Sequence, residues 1–319
     1  MAAYIIRRVI EAIPILIGIA VISFLIVHLA PGSPADKYRG GRISPAAIAA
    51  VIKLYGLDQP LPQQLWSWLT TFPQLWRPEA WGYSFANGRP VLETIFSRAP
   101  LTILLMGSSL ILTALIGIPI GILGAVRQYG TADKTITILA TIGYAIPTFV
   151  LGVFLRNIFA TQLKIFPLFG AHTLGRPETL DDLLWHMVLP VTTLTIVGVA
   201  GWSRYMRASM LEVLRQDYIR TARAKGLASR VVIFKHAMRN ALIPVVTLFG
   251  LSIPVLLGGA AVTETVFSWP GLGFLGVSAV ITRDYPTVLA FVMIGGILVV
   301  LGNLVADVLY ATVDPRIKY

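Results

Sequence analysis

The chain has 319 residues, of which 56% are hydrophobic and only 13% charged, with a mean hydropathy of +0.76. A soluble domain of this size carries about 25% charged residues, so the composition is that of an integral membrane protein. The formal charge of +11 does not indicate nucleic-acid binding, because the cations flank apolar runs and no soluble basic domain is visible. The absence of cysteine excludes disulfides, cysteine zinc sites, iron–sulfur ligation and thiol catalysis. His28, His172, His186 and His236 are scattered without paired ligand spacing, so no metal is expected on this chain.

An apolar helix needs about 20 residues to cross a bilayer. In chain order the expected spans are Val9–Ala30, Leu101–Val126, Thr135–Phe159, Trp185–Met206, Ala241–Val262 and Thr287–Tyr310. Together they predict an all-α membrane protein of about six transmembrane helices. Arg7 and Arg8 precede the first run, which is too long for a cleaved signal peptide and is expected to be retained. The longest interval between spans, Pro31 to Ala99, is rich in Pro, Gly, Trp and turn residues. Ser44-Pro45 is expected to open a short helix through about Tyr55. Trp66, Trp68, Trp76 and Trp81 mark either an interfacial layer or a small external lobe.

Within the spans, Pro14, Pro119, Pro147, Pro190 and Pro254 interrupt apolar runs, and Gly117, Gly121 and Gly124 form a small-residue seam. These suit closely packed, movable helices or ordinary packing. Glu11, Arg156 and Asp307 lie near expected helix ends and are read as snorkelling side chains.

From Gly201 to Asn240 nine cations (Arg204, Arg207, Arg215, Arg220, Arg223, Lys225, Arg230, Lys235 and Arg239) face only Glu212 and Asp217. Loops on the cytosolic side collect Lys and Arg, so this insert is expected inside, with both termini on the same side. Its internal pattern reads as two short helices around a glycine. Asp217 serves as N-cap or first-turn acid, and Arg223 and Lys225 sit where cations complement a helix C-terminus. Gly226 occupies the left-handed C′ position, and Ser229 caps a second helix to about Asn240. Pro244 lies in the first turns of the next apolar run. Ala222, Ala224 and Gly226 leave a shallow elbow that either seats in a protein groove or lies as a solvated basic loop beside anionic lipid.

The segment Val262–Pro286 contains Phe267-Ser-Trp-Pro-Gly-Leu-Gly273, which must break helix because Pro270 removes a donor and Gly271 and Gly273 loosen the backbone. Irregular backbone at membrane depth is tolerated only where protein or water covers it. The segment is therefore a re-entrant, scoop-like element near a pore mouth or an interfacial loop. Its candidate residues are Glu264, Phe267, Trp269, Pro270, Gly271 and Gly273. Glu264 pairs with a cation of an external partner, orients the loop, or is a simple interfacial carboxylate.

Tyr218-Ile-Arg-Thr-Ala-Arg-Ala-Lys-Gly-Leu227 and His236-Ala-Met-Arg-Asn-Ala-Leu-Ile-Pro244 closely resemble the cytoplasmic coupling (EAA) loop of ABC importer permeases, in its dipeptide and oligopeptide version. Against the general Glu-Ala-Ala form the chain departs, with Arg220, Thr221 and Ala222 at those positions and only Ala222 and Gly226 matching. Pro31-Gly-Ser-Pro34, Tyr55-Gly-Leu-Asp-Gln-Pro60 and the terminal Asp314-Pro-Arg-Ile-Lys-Tyr319 resemble the B-type subunit of that family.

The resemblance implies that residues 1–30 are a cytosolic N-terminus and first transmembrane helix and 31–99 an external loop or lobe. Residues 100–310 would be a five-helix permease core containing a cytoplasmic coupling loop at 207–240, and 311–319 a cytosolic tail. It implies a bacterial or archaeal plasma-membrane location, a homologous second permease subunit, two ATP-binding subunits or one fused ATPase, and an external substrate-binding protein. The ATPase-coupling residues would be Tyr218, Arg220, Thr221, Ala222, Arg223, Ala224, Lys225, Gly226, His236, Arg239 and Asn240.

No P-loop, catalytic constellation or metal motif is present, so this chain is expected to bind no cofactor, with ATP and magnesium on partner subunits. Relatives with this plan carry dipeptides, longer peptides, glutathione or nickel. With no acidic or histidine cluster in the spans, peptide is preferred. The rival reading is a partner-independent secondary transporter or channel with a basic lipid-binding loop.

Overall fold

The computed structural model describes residues 2–29, 52–53, 56, 58–74, 77–258 and 260–313. The expected Ser44–Tyr55 helix, Trp76 and the terminal residues 314–319 lie outside the described residues, apart from isolated positions before Tyr55. The fold is helical: α1 (Ala2–Leu29), α2 (Leu61–Thr71), α3 (Val91–Val126), α4 (Thr131–Ala145), α5 (Thr148–Arg156), α6 (Leu180–Leu214), α7 (Asp217–Ala224), α8 (Ser229–Ala241), α9 (Ile243–Gly258), α10 (Ala261–Val266), α11 (Leu272–Ile281) and α12 (Tyr285–Val313). A π-helical turn, Asn157–Gln162, extends α5, and another, Val232–Ala237, lies within α8.

Among the described residues four helices are long and apolar enough to cross a membrane: α1, α3, α6 and α12. The count reaches six if each of two bent pairs, α4–α5 and α8–α9, forms one span. The third expected span, Thr135–Phe159, is therefore not one continuous helix. It turns by 95° between α4 and α5. Ile146 there is extended (ψ 122°), as a residue preceding proline prefers, and Pro147 caps the new helix. Pro14, Pro119 and Pro190 stay inside unbroken helices.

Helix α3 packs most extensively against α6. Gly121 and Gly117 create that approach, because a Cβ on Gly121 would lie 2.6 Å from both Met206 Cβ and Ser203 O, and one on Gly117 would lie 3.2 Å from Trp202 Cβ. Both obstacles at Gly121 are rigid, so Gly121→Ala must push the helices apart. The expected cost is about 1–3 kcal/mol, seen as a lower melting temperature of the purified protein. Gly107→Ala on the same helix, where no atom lies within 4 Å, should leave it unchanged.

The described part of the interval between α1 and α3 is a packed lobe, which decides its tryptophans. Trp81 is buried with Trp68 edge-on to it (centroids 5.7 Å apart), whereas Trp66 remains exposed. Trp81 and Phe72 join a core with Val91, Leu92 and Ile95 of α3, Leu272 of α11 and Met293 of α12. The buried Asp284 carboxylate fastens the lobe to the start of α12, accepting from Ser84 Oγ, Phe85 N (2.9 Å) and Thr287 Oγ1 (2.8 Å).

Candidate coupling elbow and gate segment

The basic insert folds as a helix–turn–helix on the end of α6. Helix α7 buries Ile219 and Ala222 against Met206 and Met210 of α6 and Val232 and Ala237 of α8. Its outer face carries Tyr218, Arg220, Thr221, Arg223, Ala224 and Lys225, all exposed. The spacing of Ile219 and Ala222, three apart, puts the apolar pair on one helix face and the cations on the other. Gly226 closes the helix at φ +76°. Its N–H donates to Arg223 O (2.9 Å) and that of Leu227 to Ala222 O (3.4 Å), a Schellman arrangement that satisfies the last carbonyls.

Of the remaining elbow residues, Asn240 Nδ2 donates to Tyr218 Oη (2.9 Å), tying α8 back to α7, and His236 is half-buried beside exposed Arg239. Of the two expectations about caps, one is resolved and one corrected. Gln216 is the N-cap of α7 and Asp217 is the acid of its first turn. Ala228 rather than Ser229 occupies the N-cap of α8, and Ser229 is already helical without a capping bond from its side chain. Pro244 is the second residue of α9, where a missing N–H costs nothing.

A pairing that the sequence does not announce braces this elbow. Arg207 of α6 grips Asp133 of α4 through Nε (2.6 Å) and Nη2 (2.8 Å), and Asp133 Oδ2 also accepts Tyr129 N (2.9 Å). Asp133 is buried, so the bidentate guanidinium supplies the charge partner that burial demands. The only signal was an acid flanked by Arg127 and Lys134.

The segment after α9 is packed on protein at its centre, with Glu264, Phe267, Trp269 and Gly271 buried and Val262 and Thr265 exposed. Glu264 of α10 is fully buried, and its Oε1 accepts Thr102 Oγ1 of α3 (2.9 Å) while Oε2 accepts Phe274 N (2.9 Å). It is thus not an interfacial carboxylate, and its two oxygens tie α10 to α3 and to the first turn of α11. Thr102 Oγ1 in turn accepts Leu272 N (2.7 Å), so one hydroxyl links the helix wall, the carboxylate and the first turn of α11. Trp269 is fully buried and donates Nε1–H to Leu101 O (3.1 Å), and Arg98 Nη1 donates to Pro270 O (3.1 Å). Phe267 is buried and its carbonyl accepts Gly170 N (3.0 Å). Gly271 and Gly273 are required by space, since a Cβ would sit 2.6 Å from Glu264 Oε2 and 2.5 Å from Ala261 Cα respectively.

Arg156 was expected to snorkel. Instead it donates Nη1–H to Val266 O and lies 5.3 Å above the Phe169 ring, bracing the start of the loop. Glu11 pairs with Arg7 (2.9 Å), and the Asp307 side chain lies outside the described residues. Two of the scattered histidines converge on one acid, with His172 Nδ1 3.4 Å and His186 Nδ1 3.5 Å from the Asp182 carboxylate. Among the described residues no three His, Cys, Asp or Glu side chains form a group able to hold a metal ion.

A helical membrane domain with a basic helix–turn–helix on one long helix and a protein-packed loop between its last two spans has the architecture of a transporter permease. A chain of the MetNI methionine ABC transporter, in inward-facing conformations, has the same fold, with TM-score 0.57 at 20% identity over 70% of this chain and 98% of that one. The model for "Binding-protein-dependent transport system inner membrane component" matches residues 117–319, and that for the N-terminal part of the same membrane component matches residues 1–106. The oligopeptide transport system permease protein AppB of Bacillus subtilis (strain 168) is 47% identical over the whole of both chains. The glutathione transport system permease protein GsiC of Salmonella choleraesuis is 42% identical, also over both whole chains. A putative peptide permease protein of Brucella ovis is 38% identical over 100% of this chain and 99% of its own length.

The chain belongs to the family of binding-protein-dependent transport system inner membrane components, and is the permease subunit of an ABC importer. It is a transport component and not itself an enzyme. The partner-independent transporter or channel is not favoured.

Proposed function

We propose that this permease carries peptides delivered by an external binding protein, pairs with a homologous second permease subunit, and is driven by two ATPase subunits or one fused ATPase that bind ATP and magnesium. The observation that carries the peptide assignment is 47% identity along the whole chain to an oligopeptide permease, supported by the glutathione permease at 42%, whose substrate is itself a short peptide. Nickel draws no support, since among the described residues no three His, Cys, Asp or Glu side chains form a group able to hold a metal ion.

In this reading residues 1–30 are the inner terminus and first helix, 31–99 the external lobe, 100–310 the permease core with its coupling loop at 207–240, and 311–319 the inner tail. Both termini are cytosolic. The outer face of α7, with Tyr218, Arg220, Thr221, Arg223, Ala224 and Lys225, sits in the ATPase groove, and Gly226, His236, Arg239 and Asn240 hold the elbow that follows. Movement of α7 is passed to α6 through the shared apolar cluster of Ile219, Ala222, Met206 and Met210, which cannot separate without exposing that surface. Glu264, Phe267, Trp269, Pro270, Gly271 and Gly273 form the gate segment at the external pore mouth.

The cations test this reading. Reversing Arg220 and Arg223 together to glutamate should weaken ATPase association by at least about a hundredfold, since like charges facing each other at an interface cost several kcal/mol. Both side chains are exposed, so folding should survive. The measurement is ATPase retained by permease purified in detergent. A basic loop serving only anionic lipid predicts an intact complex with altered lipid dependence, and that outcome overturns the docking role.

A further inference from the structure

Helix α4 shows three faces, one buried, one mainly apolar and exposed, and one polar and exposed. Asp133, Ala140 and Gly143 are buried against α6 and its neighbours. Ile138, Leu139 and Ile142 are exposed and apolar, and over the second half of the helix they form a flank suited to lipid or a helix, with exposed Thr131 and Thr135 on the same side in its first turns. Between these faces runs an exposed polar stripe, Lys134, Thr137, Thr141 and Tyr144, spaced by three, four and three residues and therefore aligned along the helix. Tyr144 is 60% exposed at the upper end, just before the 95° bend.

Arg204 of α6 lies with its guanidinium 4.8 Å from the centre of the Tyr144 ring. Both side chains are exposed, and among the described residues no acidic side chain pairs with Arg204. This differs from Arg207, three residues on, whose charge is taken up by Asp133. Ionisable residues in membrane bundles face the bundle interior or a water-filled cavity. A cation held in place by an aromatic face, with its N–H fork unspent, is arranged to receive a planar anion.

We propose that the Lys134–Thr137–Thr141–Tyr144 stripe is a wall of the substrate pathway and that Arg204, positioned by Tyr144, receives the carboxylate of the passing peptide. The carboxylate as ligand rests on the peptide reading above, whereas the wall rests on the exposed polar face alone. The threonine hydroxyls do not hold the substrate tightly: Thr141 Oγ1 already donates to Thr137 O (2.7 Å), leaving its lone pairs to water or a peptide N–H. A pathway needs such weak, repeated contacts with one charged stop.

The absence of native cysteine makes the wall directly testable in the assembled transporter. Thr137→Cys, Thr141→Cys and Tyr144→Cys should react with a membrane-impermeant, charged methanethiosulfonate, and the rate should change on adding nucleotide. Ile138→Cys and Ile142→Cys should not react, because a thiol in lipid stays protonated and out of reach. Equal reactivity of both sets, or reaction of the isoleucine set alone, overturns the wall. Protection of all five positions in the assembled complex, as a covering partner helix would give, overturns it too.

The second arm compares each variant with the unaltered transporter on one peptide with a free C-terminus and on its C-terminal amide, so that discrimination by the binding protein cancels. Arg204→Gln should raise KM for the free acid roughly tenfold or more, the loss of a charged hydrogen-bonded contact, and leave the amide unchanged. Arg204→Lys should recover part of the loss. Equal effects on both peptides, with ATPase retained, assign Arg204 a structural role and overturn carboxylate reception. Labelling of the threonine set in a complex that transports no peptide would leave the wall standing and sink the peptide reading instead.

Discussion

Glu264→Ala should leave the permease inserted and bound to its ATPase, yet reduce peptide uptake to a small fraction of that of the unaltered transporter. The carboxylate is fully buried and accepts the Thr102 hydroxyl and the Phe274 amide, both from outside its own helix. Removing it leaves these donors unsatisfied, at about 1–3 kcal/mol each, and opens a void beside Gly271. The loop is also held by Arg98, Leu101, Arg156 and Gly170, so it should loosen and not unfold. The elbow shares none of these contacts, which is why the ATPase should stay. Glu264→Gln keeps the volume and one acceptor, so its defect should be smaller. Trp269→Ala, which empties a fully buried site in the same loop, should resemble Glu264→Ala. The measurements are uptake into proteoliposomes and the rise in ATP hydrolysis on adding loaded binding protein. Normal uptake by an assembled Glu264→Ala transporter would remove the loop from the gating account.

Gly226→Val should uncouple the transporter without touching insertion. Gly226 sits at φ +76°, where an ordinary L-residue pays roughly 1–2 kcal/mol and a β-branched one more. A Cβ there meets no atom within 4 Å, so steric collision is not the mechanism and the backbone alone carries the effect. The turn must relax toward negative φ, which breaks the bonds from Gly226 and Leu227 to Arg223 and Ala222 and swings α7 relative to α8. Transport and substrate-stimulated hydrolysis should fall together by at least about tenfold, the equivalent of some 1.4 kcal/mol. Gly226→Asn, which tolerates the left-handed region, should retain most activity. If valine and asparagine behave alike, backbone conformation is not what the glycine supplies.

These two sites differ in how they show in the sequence. Gly226 is local: a cation-ended helix followed by glycine states its own conformation. So does the break at Phe267–Gly273, where Pro270 and two glycines leave no helical alternative. What the break packs against is not local, since Glu264 meets a threonine 162 positions away and Arg207 meets an acid 74 positions away. One chain's pattern carries no record of such pairs, so Arg156 reads as a snorkelling end, and Glu264 stays open between an external pairing, a loop-orienting role and an interfacial carboxylate.

The bend of the third span was hidden for a different reason. Hydropathy is blind to direction, and Pro147 breaks its run while Pro119 and Pro190 lie inside helices. The close packing of α3 on α6 was half legible: Gly117, Gly121 and Gly124 indicated a seam, and the structure supplied its partner in Trp202, Ser203, Met206 and Arg207. The polar stripe on α4 was legible in principle, as a period of three and four, but only burial separated it from the apolar flank beside it.

The most direct test of the central account is uptake of a labelled peptide into proteoliposomes containing this permease, its partner permease and the ATPase, with loaded binding protein outside and ATP inside. Uptake should require ATP and vanish when the ATPase is omitted or when Arg220 and Arg223 are both replaced by glutamate. Uptake that persists undiminished without the ATPase would contradict the account.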